Sequence, residues 1–416
     1  MPFRRIIFLL GLVVCGLVTT TLPARAQIHW ETINAEYTFG GEITFTARLQ
    51  GDTTPAQMLV FMQVEGEPAT RSAAASLETP GESVLVYDLS QQPVRAFSTI
   101  TYWLEAVTVS GETLTSPRQE LLYDDNRFNW QVREEPPFRV HWYEGDPAFA
   151  QSMLDVARLG MQRVQGLFPV LEPELVDIYA YASAVEMQAT LLLSGQNWVA
   201  GHADPDLGVM VVSLPPGPEQ RLEMERQIPH ELAHILLYRH MGPAYVNLPA
   251  WFSEGLASIT ELYPNPDYDK LLNIYYEQDG LFATAELCRS FPNDASGALL
   301  SYAQATSFTR YLQQQYGTSG LQKLIDQYRD GVECSRGVEV ALGQSLREVE
   351  GDWRQEKFGA NTVEAAAGDL APWVILLVAV LAVPLGLVIG GLRKRGGSYD
   401  RNPIADNTFR PAARRR

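Results

Sequence analysis

The sequence predicts a multidomain protein: an all-β module, then a mixed α/β domain with a helical C-terminal part, then a single transmembrane helix. Three observations predict it. The first hundred residues of the exported part are short alternating runs broken by turn residues. At Pro136-Pro137 the texture changes to strands interleaved with helical spacing. Finally, a stretch of 22 residues from Ala371 to Leu392 carries no charge. A chain of 416 residues has room for two or three domains, and 46% hydrophobic with 19% charged residues is the composition of folded cores rather than disorder.

The two ends are read first. Residues 1–26 begin with Arg4 and Arg5, continue through an apolar run from Ile6 to Val18 and close on Ala24-Arg25-Ala26. That is the charged, apolar and small-residue order of a secretory signal, with cleavage expected before Gln27. The uncharged stretch 371–392 is long enough at helical rise to cross a hydrocarbon core of roughly 30 Å. Arg393-Lys394-Arg395 follows it at once. By the positive-inside rule the tail 393–416 is then cytoplasmic, and residues 27–370 lie outside the cytoplasm of a single-pass membrane protein. Residues 358–370, rich in Ala and small polar types, read as a stalk.

Charge divides along the same line. The whole chain carries −17, but the exported part 27–370 holds 47 acids against 21 bases, a net of −26. Such a surface repels nucleic acid, which is excluded as a partner. Of the three cysteines only Cys288 and Cys334 remain after the signal, in a compartment where disulfides persist; either they pair or they stay free thiols. Their wide spacing removes them from any zinc ligand pair.

Within residues 27–130, Ile43 to Leu49, Met58 to Val64, Ser83 to Leu89 and Thr99 to Val109 are the clearest strands, with Ser110-Gly111-Glu112 closing a hairpin. No amphipathic helix interrupts them, and about a hundred residues of this kind fit a β-sandwich of the immunoglobulin or fibronectin type. The module has no cluster of chemical residues, so it reads as a spacer or a substrate-presenting unit. Asp124 to Arg133 reads as a connection, with the boundary at Pro136-Pro137. The second domain, 138–357, has strands at Phe138 to Tyr143, Val176 to Tyr181 and Val209 to Ser213, a helix over Pro147 to Phe168, and helices with turn breaks thereafter.

The chemistry concentrates in this second domain. His230-Glu231-Leu232-Ala233-His234 lies in a segment, Ile228 to His240, that reads as helical, with Pro229 placed near its first turn. Residues four apart share a helix face, so the two imidazoles converge on one point, where a single zinc ion fits. Glu231 sits one step round and borders the open position, where it can take a proton from an attacking water. Two histidines need a third protein ligand, and Pro249-Ala250-Trp251-Phe252-Ser253-Glu254-Gly255-Leu256-Ala257 supplies Glu254, twenty positions after His234 on the following helix.

His230 to His234 followed by Trp251-Phe252-Ser253-Glu254-Gly255-Leu256-Ala257 resembles the gluzincin metallopeptidases, in which HExxH is completed by a Glu on the next helix. The second segment is similar to the W-x-x-E-G-x-A signature of the aminopeptidase-like branch, and the layout resembles membrane-anchored bacterial members of the peptidase MA-like group. The resemblance implies a zincin-like fold for the second domain and a peptide or protein substrate. It also implies His230, His234 and Glu254 as zinc ligands and Glu231 as general base. The sequence departs from the pattern at Ser258, where many gluzincins place an Asp that orients a ligand imidazole. It also lacks the Gly-x-Met-x-Asn strand that grips a substrate amino terminus. The oxyanion donor is left open, with Tyr302, read at the start of a helical segment Tyr302 to Tyr311, as the candidate and His240 as its rival. His202 is a candidate for lining the cleft, and the strand Val209 to Ser213 for pairing with an extended peptide. A catalytically idle binding protein of the same fold and a zinc hydrolase of a non-peptide bond are the alternatives.

Overall fold

Eight antiparallel strands open the computed structural model, which describes residues 28–51, 55–79, 82–170, 174–193, 201–359 and, further on, 370, 372–378 and 380. The expected signal at 1–26, most of the expected stalk and span, and the whole tail at 393–416 lie outside the described residues. Among the described residues no helix is long and apolar enough to cross a membrane.

The strands are β1 (His29–Thr38), β2 (Glu42–Gln50), β3 (Pro55–Val64), β4 (Arg71–Thr79), β5 (Glu82–Asp88), β6 (Ser98–Thr108), β7 (Thr113–Thr115) and β8 (Gln119–Tyr123). Period-2 burial explains them: in β6 every second residue from Ser98 to Thr108 points inward. The expected β-rich module is present, and in it β4 pairs with both β3 and β5. The strands therefore follow one hydrogen-bonded path, β1-β2-β5-β4-β3-β6-β7, with β8 also on β6. Ile43 and Phe45 from one end of that path meet Val60, Met62 and Leu104 from the other in a single core.

The second sheet has the order β12-β13-β11-β10-β9, built from β9 (Gln131–Glu135), β10 (Phe138–Trp142), β11 (Val176–Tyr181), β12 (Gly201–Asp204) and β13 (Val209–Ser213). β10, β11 and β13 run parallel, while β9 and β12 are antiparallel edges. Pro136-Pro137 is therefore the turn between two paired strands and not a domain boundary, and the stretch to Arg133 expected as a connection already contributes to the sheet. Both faces of this sheet are buried, which is why β11 and β13 read as continuous apolar runs. Ile178, Ala180, Met210 and Val212 face the helices of the second domain. Tyr179, Tyr181, Val209 and Val211 face the core of the first. A buried Asp125 adds a polar tie across the same junction, accepting from Arg127 Nε (2.7 Å), Thr190 Oγ1 (2.7 Å) and Tyr181 Oη (3.0 Å). The first domain is thus packed onto the back of the second domain's sheet, which a spacer would not be.

The helices are α1 (Pro147–Gln165), α2 (Ala184–Leu193), α3 (Gln220–Met241), α4 (Ala250–Thr260), α5 (Tyr268–Glu277), α6 (Ala295–Arg329, broken at Gly317) and α7 (Cys334–Leu342), with residues 346–359 helical after them. Asp146 caps α1 by accepting from the Phe149 amide at 3.0 Å, and Pro147 takes the first helical position, where no amide is needed. α4 lies close on α6, because a Cβ on Gly255 would fall 2.0 Å from Thr309 Oγ1 and 2.7 Å from the carbonyl of Ala305.

Cys288 and Cys334 are joined in a disulfide, with Cα atoms 6.1 Å apart. The bridge backs onto the site helix, since the buried Trp251 indole donates to Cys334 Sγ at 3.4 Å. Replacing both cysteines by serine releases a loop whose ends are 46 residues apart. A loss of roughly 2–4 kcal/mol of unfolding free energy is expected, read from the shift in denaturant midpoint. An unchanged midpoint would show that the bridge adds no stability.

Candidate metal centre

α3 begins at Gln220, eight residues ahead of the expected helical segment, so Pro229 lies in the helix interior rather than in its first turn. A proline there has no amide for the carbonyl four residues back. That carbonyl belongs to Glu225, and it accepts instead from the backbone amides of Leu262 (2.8 Å) and Tyr263 (3.4 Å), just beyond α4. The Thr260 hydroxyl donates to the carbonyl of Pro229 at 3.0 Å. The end of α4 is thereby stitched to α3 one residue before the first histidine.

The stitching sets three side chains around one point. His230 and His234 project from α3 and Glu254 from α4, with their donor atoms all within 4.8 Å of one another. Glu254 Oε2 lies 3.3 Å from His230 Nε2 and 3.6 Å from His234 Nε2. Each imidazole turns its other nitrogen outward to a partner. His230 Nδ1 is 3.1 Å from Glu261 Oε1, and His234 Nδ1 is 2.9 Å from the Tyr245 hydroxyl, with Ser253 Oγ at 3.5 Å from both that nitrogen and that hydroxyl. Ser258 takes no part in this: its buried hydroxyl has no hydrogen-bond partner among the described residues. Glu261, three residues further on and itself buried, holds the imidazole that an Asp at 258 would have held.

Electrostatics follow from this geometry. Burial by itself would push the Glu254 carboxyl up, but the His234 and His230 rings beside it hold it well below the usual carboxylate range. Burial would likewise depress His230, and hydrogen bonds to Glu254 and Glu261 outweigh it and raise it well above its ordinary value. Two nitrogens and one carboxylate oxygen converging on one point, with both remaining ring nitrogens engaged, fit a zinc ion with an open fourth position. No ligand of another geometry is needed to explain the cluster.

Glu231 is buried and opens on the same cleft of ≈170 Å³, lined also by His202, Ala203, Pro205, Tyr245 and Tyr302. Tyr302 stands in the second turn of α6, not at the start of its helix, with its ring 6.3 Å from that of His230. The charges of Glu254, then burial, then Glu231 push its phenol far above the usual range, so it enters the cleft as a donor. His240 is elsewhere, tilted over Phe168 at 5.4 Å between ring centres, and cannot share that role. The strand expected to pair with a peptide, Val209 to Ser213, is bonded on both sides, by β11 and β12. Among the described residues the edge strand beside the cleft is β12, which carries His202.

His202, His230, Glu231, His234, Glu254 and Tyr302, all named from the sequence, line this cleft, whereas Glu261 and Tyr245 were not named. Glu261 lies seven positions after Glu254, two helical turns along the same face, a spacing that could have marked it. Tyr245 sits in a 3₁₀ turn, Gly242–Asn247, where no periodicity points to it.

Residues 157–358 match the family described as the Peptidase MA superfamily. No curated protein matches the sequence. Among solved structures, an M1 zinc metallopeptidase from Deinococcus radiodurans is 12% identical, covering 80% of this chain and 95% of its own, with a TM-score of 0.35. OgpA from Akkermansia muciniphila is 10% identical, covering 24% of this chain and 30% of its own, with a TM-score of 0.20. The matched span includes every cleft residue from His202 to Tyr302.

Proposed function

We propose that this protein is a zinc-dependent peptidase, tethered by residues 371–392 and cleaving peptide bonds outside the cytoplasm. The observation that carries the catalytic part is the convergence of His230, His234 and Glu254 with both Nδ1 atoms already held. The tether and the topology rest on the uncharged stretch and on the basic residues that follow it.

In this reading His230, His234 and Glu254 hold the ion, and Glu261 and Tyr245 fix the ring orientations. When bound, zinc supplies a Lewis acid that lowers the pKa of water to about 7. Glu231 accepts the proton of the attacking water and delivers it to the leaving amine. Tyr302 donates to the negative charge that develops on the carbonyl oxygen. An extended substrate would lie along β12, which among the described residues is paired only to β13 and forms the edge of the second sheet. The absent Gly-x-Met-x-Asn run leaves no built-in grip for an amino terminus, which favours internal cleavage.

Three measurements test this. The purified protein should hold one zinc per chain and cleave a mixed peptide pool, and Glu231→Gln should keep the zinc while losing about 10²–10⁴-fold in rate. Wild-type rates in that variant, or cleavage confined to cell-wall fragments, would sink the peptidase assignment. Glu261→Gln should weaken zinc binding about 10–100-fold in chelator competition, because His230 loses a charged acceptor. Equal affinities would deny Glu261 its role. Tyr302→Phe should lower kcat about 10²–10³-fold with little change in KM, as expected for an interaction made only in the transition state. A change confined to KM would reassign Tyr302 to substrate binding.

A further inference from the structure

The cleft's edge strand is short and is anchored from outside its own domain. β12 contributes four residues, paired on one side to β13, and a tight turn follows in which the Leu207 amide bonds to the Asp204 carbonyl at 3.1 Å. Into that turn reaches Arg95, from the loop between β5 and β6 of the first domain. Its guanidinium donates through Nη1 and Nη2 to the two carboxylate oxygens of Asp206 (2.7 and 2.5 Å), and through Nη2 to Asp204 Oδ1 (2.7 Å). The same Oδ1 of the buried Asp204 is 3.1 Å from His202 Nε2, and His202 lines the cleft beside His230 and Glu231. Asp204 is held below the usual carboxylate range: burial opposes this, and His202 and Arg95 outweigh it.

Room for the clamp is built into the first domain. Gly66 has φ +78°, and a Cβ there would lie 2.7 Å from both Arg95 Nη1 and Asp206 Oδ2. Nearby, Phe97 packs its ring 4.0 Å from that of Tyr179 on β11, fixing the loop to the sheet two residues from the arginine.

We propose that Arg95 is a positioning residue of the substrate cleft: through Asp204 it sets the register of β12 and the orientation of His202, so that the first domain completes the substrate-binding edge. A guanidinium that served only to join domains would need no contact with the carboxylate that holds a cleft histidine. Removing the guanidinium takes from the buried Asp204 its ion pair with the first domain, and any shift of that carboxylate moves β12 and His202 with it. The use of that edge by a peptide rests on the peptidase reading; the anchoring of the strand does not.

The test uses the full chain with Arg95→Ala, Arg95→Lys and, as a milder variant with Asp204 still clamped, Asp206→Asn. Amide exchange at residues 201–206 should quicken about tenfold or more in Arg95→Ala and less in the other two. Zinc content and the affinity for acetohydroxamate, which reaches only the ion, should stay within about twofold. The affinity for a tripeptidyl hydroxamate, which also lies along β12, should fall about tenfold, and Arg95→Lys should recover part of it. Unchanged exchange at 201–206 overturns the proposal, as does equal weakening of both hydroxamates with loss of zinc. If the wild type holds no zinc, the peptidase reading fails, and the exchange measurement still decides the role of Arg95. Should Arg95→Ala not fold, Asp206→Asn and Arg95→Lys carry the same comparison.

Discussion

Proline at position 229 takes one hydrogen bond out of α3, and the carbonyl it frees does more for the site than the bond it replaced. Glu225 O is spent on the backbone of Leu262 and Tyr263, which holds the exit of α4 against the helix that carries both histidines. Glu254 comes from the middle of α4, and Glu261 sits at its end, beside the captured amides. A hydrogen bond of this kind is worth about 0.5–1.5 kcal/mol net, so the capture is favoured once the proline is in place. The relative placement of α3 and α4, on which ligand distances depend, is thus written into a backbone defect.

Around that frame the site gathers three carboxylates and two imidazoles, Glu231, Glu254, Glu261, His230 and His234, that would be costly to bury one at a time. Glu254 and His230 lower each other's burden, as the opposite directions of their shifts show. Glu261 shares the His230 charge from the far side. Such mutual support is the condition for placing ions out of water, and it is also the condition for a metal site, because the same ring nitrogens that would carry protons are those aimed at the shared point. Gly255, with α6 pressed against it, and Trp251, with the disulfide behind it, keep α4 from drifting away from that point.

The two domains meet across a single sheet. Alternate side chains of β11 and β13 serve two different cores, so neither domain's packing is complete without the other. That double use explains why the junction does not follow the change of texture at Pro136-Pro137: β9 is polar and joins the second domain through backbone pairing with β10 and through ion pairs of Glu134 with Arg139 and of Glu135 with Arg158. It also places Arg95 within reach of the cleft.

The sequence by itself determined the parts that depend on local spacing. Four-residue spacing puts His230 and His234 on one helix face, a following helix offers Glu254, and alternation marks β2, β3, β5 and β6. Tertiary structure decided what depends on partners distant in the chain. Glu261 rather than position 258 supports His230, because the Glu225 capture sets where α4 ends. Among the described residues β12 rather than β13 is the edge strand beside the cleft, because an edge is set by the order of strands in the sheet, and no strand carries that order in its own residues. Cys288 and Cys334, open to either fate in the sequence, are bonded because the fold brings their Cα atoms to 6.1 Å, a distance that spacing along the chain does not encode.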